Sequence, residues 1–262
     1  MSKISIIGFW NTLGFKKWQL YASLSSLLIV LVWALVFVNQ FYIDLLIEDR
    51  IDWWRLIIDG GGWFEGFFKQ HGPHRLGFLY TLTKFSDLIA PLNLKADLYL
   101  NVVVIWIMVI LGLRLKWKYT GEWHFSDLII PFVVMTTYQW EIYIINPHIH
   151  VMLPFFSLLM GNFLISNKRD NLLISSFLFF IASFSTYALF VAVVFWFVQA
   201  FRWWQSQEFK KLGGFVLMGG ITAAIYMYGF DFNYMEKSPP VDWIVAAKGP
   251  YFLVLSFLGL NY

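Results

Sequence analysis

Two groups of residues in this 262-residue chain have the types and spacing to do chemistry, and both fall in the stretch 44–75. The first is acidic. Asp44, Glu48, Asp52, Arg55 and Asp59 recur at helical spacing and therefore line one face, with Asp49 beside Glu48. The second is His71-Gly72-Pro73-His74-Arg75, where a proline breaks helical continuity and three side chains able to carry positive charge gather. Carboxylates can receive protons, and a His/Arg cluster can neutralise a phosphate through charge-assisted hydrogen bonds. Each group also has a plainer use. An acidic stripe suits the solvated face of an anchoring helix, and interfacial cations suit lipid headgroups. As zinc ligands the two histidines are poorly arranged: they are not an i, i+4 pair and no third ligand sits at a fixed spacing.

A third polar set, Gln139, Glu141, Asn146, Pro147, His148 and His150, lies between two apolar runs and shares a side with the first two. Glu141, His148 and His150 can complete a pocket there. An ordinary short loop, with Glu141 snorkelling from a span end, explains the set equally well.

The elements that must position these residues are membrane helices. The chain is 59% hydrophobic, 21% aromatic and 13% charged, with mean hydropathy +0.64, whereas soluble domains carry roughly 25% charged residues. The absence of cysteine excludes disulfides, thiolate metal sites and thiol nucleophiles. The net charge of +3 is scattered between apolar runs instead of forming a stripe, which argues against a nucleic-acid partner. The composition predicts an all-α, polytopic transmembrane bundle of about 7–8 spans.

The first span, Trp18–Phe41, follows Lys3, Lys16 and Lys17 and is about 36 Å long as a helix. It reads as a retained span with a cytoplasmic N-terminus, in the plasma (inner) membrane. Further spans are expected at 97–115, 126–145, 149–165 and 213–230, with a terminal apolar run at 251–262 too short to cross. The run 171–201 is long for one helix, and Ser183, Ser185 and Thr186 near its centre predict two short helices with a turn. Segment 76–91 is apolar but holds Lys84 and Asp87 near its middle. If it lies in the interface, the basic clusters at 16–17, 114–118, 168–169 and 202–211 all fall on the cytoplasmic side. Letting it cross inverts the later clusters, so a juxtamembrane helix is expected. The loop 42–96 is then an extracytoplasmic platform with two amphipathic elements. One is a helix through 44–59 with Ile47, Ile51, Trp53, Trp54, Ile57 and Ile58 opposite the acids, its tryptophans at headgroup depth, ended by Gly60-Gly61-Gly62. The other is a short element from Trp63 to Gln70. Tryptophans near span ends, including the pair Trp203-Trp204, are expected to anchor in the interface, and the pairs Gly213-Gly214 and Gly219-Gly220 to let helices pack closely. No repeat or soluble domain interrupts residues 1–262, which read as one transmembrane domain.

This order resembles the polytopic GT-C glycosyltransferases: a first span, an acidic outer loop, juxtamembrane helices, then a His/Pro/basic motif before the second span. Glu48-Asp49-Arg50-Ile51-Asp52-Trp53-Trp54 is similar to their acidic loop motif, and His71-Gly72-Pro73-His74-Arg75-Leu76 to the His-Pro-Pro-Leu type motif of protein mannosyltransferases. An uncharacterised bacterial set is closer, with Gln-His-Asn-Glu-His-Arg where this chain has Gln70-His71-Gly72-Pro73-His74-Arg75, and Gln-Trp-Glu-Asn where it has Gln139-Trp140-Glu141-Ile142. Pro73 thus stands where that set has Glu. The resemblance implies transfer of a sugar from a polyprenyl-phosphate-linked donor to an acceptor on the extracytoplasmic face. It implies Asp49, with Glu48 or Asp52, as the base for the acceptor hydroxyl, and His71, His74 and Arg75 on the donor phosphate. It is compatible with a carboxylate-bound divalent metal ion, which some relatives use, and with the chain being the N-terminal part of a larger GT-C module that works with other protein subunits. Two other functions fit the same residues: a transporter or flippase of a lipid-linked intermediate, and a non-catalytic membrane assembly subunit. A transporter would be expected to carry ionisable residues at mid-membrane.

Overall fold

The structure, a computed structural model, describes residues 17–43, 49–71, 74–75, 77–136, 143, 149–167, 171–185 and 189–231. They form ten α-helices, a 3-10 turn and one two-stranded hairpin. The helices are α1 (Lys17–Phe41), α2 (Asp49–Ile58), α3 (Trp63–Phe68), α4 (Gly77–Ile89), α5 (Leu94–Thr120), α6 (Ile130–Val134), α7 (Ile149–Ser166), α8 (Leu172–Ser183), α9 (Leu189–Gln205) and α10 (Phe209–Met227). Strands β1 (Gln70–His71) and β2 (His74–Arg75) lie between α3 and α4.

Among the described residues two helices are long and apolar enough to cross a membrane, Trp18–Phe41 in α1 and Leu94–Thr120 in α5. They run antiparallel. At one end Asn39 Oδ1 accepts from Lys95 Nζ (3.1 Å) and from Tyr99 Oη (3.2 Å). Midway, the Trp106 indole donates to the Leu27 carbonyl at 2.9 Å. At the other end the Trp123 indole donates to Ser23 Oγ at 2.9 Å and meets Trp18 edge-on. Residues 42–93 therefore leave and re-enter at one end of this pair, here called the loop end. That geometry is the one expected if α4 does not cross. At 13 residues α4 is also too short to span a hydrocarbon core of roughly 30 Å.

The charges in α4 are satisfied locally. Lys84 donates to the Gly61 carbonyl and to Tyr80 Oη (3.2 Å), and its ammonium lies over the rings of Trp63 and Tyr80. Asp87 accepts from the Leu92 backbone N–H at 2.8 Å, which fixes the turn into α5. The helix buries Leu79 and Tyr80 together with small polar Thr83 and Ser86, and turns Phe85, Leu88 and Ile89 outward. A helix in water would be built the other way round; this one suits a lipid-facing surface.

The run 171–201 does divide, into α8 and α9 on either side of Phe184 and Ser185, and α9 continues to Gln205. Asn171 caps α8 by accepting from the Ile174 N–H at 2.8 Å. The expected span 126–145 is different. Here the chain forms a 3-10 turn (Phe125–Leu128) and the five-residue α6, started by Pro131 in its first turn, and residues 137–142 and 144–148 lie outside the described ones. The apolar run 251–262 lies outside them too.

Gly214 and Gly219 of α10 let Leu172 of α8 and Trp196 of α9 come to within a Cβ's distance, the close packing expected of small residues between helices. Trp203, expected to anchor in the interface, is instead fully buried against Phe215, while its neighbour Trp204 is exposed.

Candidate functional site

The described candidate residues His71, His74 and Arg75 lie at the loop end, on a platform built from α2, α3, the hairpin and α4. Helix α2 is described from Asp49, residues 44–48 of the expected 44–59 helix lying outside the described ones, and it stops where the stripe predicts, just before the glycines. Gly60 turns the chain with φ +77°, a left-handed conformation that a side chain disfavours. Arg55 and Asp59 form an exposed i, i+4 ion pair at 3.7 Å. The face opposite is not what alternation of acids and tryptophans implies. Trp54 is 0% exposed and points into the protein, whereas Ile51 and Ile58 point out.

Trp54 faces inward because a buried acid pairs with it. Asp97, in the first turn of α5 and 3% exposed, accepts from the Trp54 indole at 3.0 Å and from the Ser86 hydroxyl of α4. One carboxylate thus ties α2 and α4 to the start of a membrane-length helix. It lies near that helix's N-terminus, where the macrodipole favours negative charge. Trp54 itself packs in one buried cluster with Leu79, Tyr80, Leu94 and Leu153. From the sequence Asp97 is only the edge of a span; the signal for its role is its position at a helix N-terminus.

Helix α3 sits on α4 through Gly66. A Cβ there would collide with the Tyr80 ring, which is held by a 3.0 Å bond from its hydroxyl to the Gly61 carbonyl. Phe67 and Phe68 then reach Phe180 and Phe184 at the end of α8, with Phe67 stacked on Phe184 at 4.9 Å between centroids. The hairpin follows from this aromatic seat.

In the hairpin Gln70 pairs with Arg75, and His71 with His74. The two pairs have different surroundings. The outer pair holds the exit of α10. Gln70 binds the backbone of Asp231 twice, donating Nε2 to its carbonyl (3.0 Å) and accepting its N–H on Oε1 (2.8 Å). Arg75 donates Nε to the Tyr226 carbonyl at 3.1 Å, and its terminal nitrogens to the carbonyls of Phe68 and Tyr228. Its guanidinium also lies against Phe68 and Phe230, about 5.5 Å from each centroid. These carbonyls end α3 and α10, so one cation caps two helix C-termini. At 2% exposure Arg75 offers little surface to a ligand. The inner pair, His71 and His74, is half-buried and opposite in register. Burial first, and then the charge of His71, holds the His74 imidazole below the ordinary histidine range.

Of the other residues with expected roles, Asp49 opens α2 and Asp52 lies in its first turn, and their side chains are outside the described part, as is Glu48 altogether. Glu141 and His148 are likewise outside it, and His150 is described only as a position in the first turn of α7. That turn lies at the loop end, because α7 finishes at the opposite one, where Lys118 binds the Ser166 carbonyl and Asn167 Oδ1. Among the described residues no group of three or more His, Cys, Asp or Glu could hold a metal ion. No protein-family model, curated protein or solved structure shows a significant match to the chain.

Proposed function

We propose that the chain is a multi-pass membrane glycosyltransferase that takes a sugar from a polyprenyl-phosphate-linked donor and passes it to an acceptor at the extracytoplasmic face. The observation that carries this reading is the paired His71 and His74, on a hairpin that lies between α1 and α5 in the chain and is fastened to the C-terminal end of α10. The outward apolar residues of α4, which follows the hairpin in the chain, suit a headgroup boundary, and this supports reading the histidines as ligands of a lipid phosphate.

Membrane placement of the rest is supported by α8–α10. They turn Phe177, Phe197, Phe201 and Leu217 outward and bury Ser175, Ser176, Gln199 and Thr222, the distribution expected where lipid and not water is outside. Lys116, Lys118, Arg202, Lys210 and Lys211 collect at the end opposite the loop, which the positive-inside rule makes cytoplasmic. The loop end is then the outer one, in the plasma membrane.

In the reaction, the acceptor oxygen forms a bond to the anomeric carbon while the bond from that carbon to the phosphate oxygen breaks. The electron pair leaves with the lipid phosphate. The acceptor's proton goes to a carboxylate of the loop, Asp49 first, with Glu48 and Asp52 beside it in sequence. Imidazole N–H groups of His71 and His74 donate to the phosphate as its charge grows. Arg75 acts at one remove, holding β2 in place. The test is to replace Asp49 by Asn and Glu48 by Gln and to measure sugar transfer in membranes: turnover should fall in at least one variant, and unchanged turnover in both rejects the carboxylate assignment.

A further inference from the structure

A groove of about 320 Å³ lies on the outside of α5, at the end of the bundle opposite the hairpin. Its lining residues Met108, Val109, Gly112, Leu113 and Lys116 follow i, i+1, i+4, i+5, i+8 spacing, so they form one stripe along the helix. Eight residues of helix rise about 12 Å. The groove therefore runs along the axis of α5, from its middle towards its cytoplasmic end. Val134 of α6 and Leu159 of α7 make its walls. Every lining residue except Lys116 is apolar or glycine.

The headgroup level at this end is marked by Trp18 packed edge-on against Trp123, a pairing suited to the membrane–water boundary. Lys116 lies one turn before the C-terminal residue of α5, near that level. Its ammonium donates to Asp127 Oδ2 (2.8 Å) and to the Glu122 carbonyl (3.1 Å). An ammonium has three donors, and Lys116 keeps 27% of its side chain exposed. A third donor at headgroup depth, above an apolar channel aligned with the membrane normal, has the form of a phospholipid: phosphate outermost, one alkyl chain below it. Lys118, exposed at the same end of α5 and bonded there to the neutral oxygens of Ser166 and Asn167, adds positive charge at this level, which favours an anionic headgroup.

We infer that this groove binds one acyl chain of an anionic phospholipid, with the lipid phosphate on Lys116. The inference rests on α1 and α5 crossing the bilayer and is independent of sugar transfer, because the groove and the hairpin lie at opposite ends of the bundle. Gly112 makes a clean test: a Cβ there meets nothing within 4 Å, so a side chain can be introduced at a position that lines the groove. The full chain in detergent would be titrated with phosphatidylglycerol or phosphatidylcholine of identical acyl chains, and bound lipid counted by native mass spectrometry. Wild type should retain one phosphatidylglycerol about tenfold better than phosphatidylcholine, and Gly112→Leu should lower that retention about tenfold with its melting temperature kept. Leu159→Phe, filling the groove from the other wall, should act likewise and serves if Gly112→Leu does not fold. Equal retention of the two lipids, retention unchanged in the filled variants, or photocrosslinking from position 134 to another protein and not to lipid would each overturn the assignment.

Discussion

The Nε of Arg75 donates to the carbonyl of Tyr226 at 3.1 Å, joining positions 151 residues apart in the chain. With its bonds to Phe68 and Tyr228 it closes the ends of α3 and α10 over one guanidinium. Without that cation the carbonyls of Phe68, Tyr226 and Tyr228 each lose a charged donor. Arg75→Ala should therefore cost about 3 kcal/mol or more, since hydrogen bonds to charged groups contribute roughly 1.5–3 kcal/mol each and are not additive. Arg75→Lys, which reaches fewer carbonyls and lacks the planar fork, should fall between the two. Melting of the detergent-solubilised protein reads both; an alanine variant as stable as wild type would remove Arg75 from the role of clamp.

Asp97 should be coupled to Trp54. Trp54→Phe keeps the ring's packing and removes the indole donor, for a loss of about 1–2 kcal/mol. Asp97→Ala should cost more, because it removes the carboxylate that accepts from both the Trp54 indole and the Ser86 hydroxyl, and of these two donors only Ser86 has a second acceptor among the described residues, the Thr83 carbonyl at 2.8 Å. In a double-mutant cycle the two losses should be less than additive by about 1 kcal/mol. Additive losses would mean that the 3.0 Å bond contributes nothing.

Much of this architecture was legible in sequence, and the parts that were not share a cause. Apolar runs with breakers between them foretell α1, α5, α7 and α10, and the three polar residues Ser183, Ser185 and Thr186 foretell the division between α8 and α9, because length and burial of backbone polar groups dictate those features locally. Trp54 was misplaced because a tryptophan near a span end has two good environments, the headgroup layer and the core. Asp97, 43 positions away, decides between them. Arg75 shows the same limit in stronger form. Its partners are backbone carbonyls, which carry no residue-type signal at all. The sequence shows the hairpin only as a break at Pro73, since two-residue strands leave no periodicity. Hydropathy alone predicts the span through 126–145; it does not register that in the described part the chain makes a 3-10 turn and the five-residue α6 with Pro131 in its first turn.

Gly66 should tolerate no side chain. A methyl at this position meets the Tyr80 ring, which is fixed by its hydroxyl bond to Gly61 and cannot swing aside without breaking it. Gly66→Ala should destabilise the platform by about 1–3 kcal/mol, the usual cost of overpacking. Limited proteolysis at 60–70 reads the effect locally: faster cleavage there is expected, and cleavage unchanged from wild type would show that α3 and α4 can part without consequence.

Acid should loosen the hairpin. The folded-state pKa of His74 lies below its unfolded value, so the unfolded chain binds the proton more readily and stability rises with pH between the two values. The contribution is complete above the ordinary histidine pKa of about 6.5 and is lost as pH falls below it. Amide exchange at 70–75 should therefore accelerate on acidification from pH 7.5 to 5.5, after correction for intrinsic rates, and His74→Gln should flatten that dependence. Protection that grows on acidification would reverse the sign and sink the argument.

The central claim is that the His71–His74 pair holds the phosphate of a lipid-linked sugar donor. The direct measurement is transfer of labelled sugar from a polyprenyl-phosphate carrier by membranes containing the wild-type chain or the His71→Gln, His74→Gln double variant, with melting temperatures recorded beside the rates. Transfer by wild type and a loss of about 100-fold or more in the double variant, at near wild-type stability, is the predicted result. Equal transfer by the two proteins, or no transfer by the wild-type chain with any such donor, would contradict it.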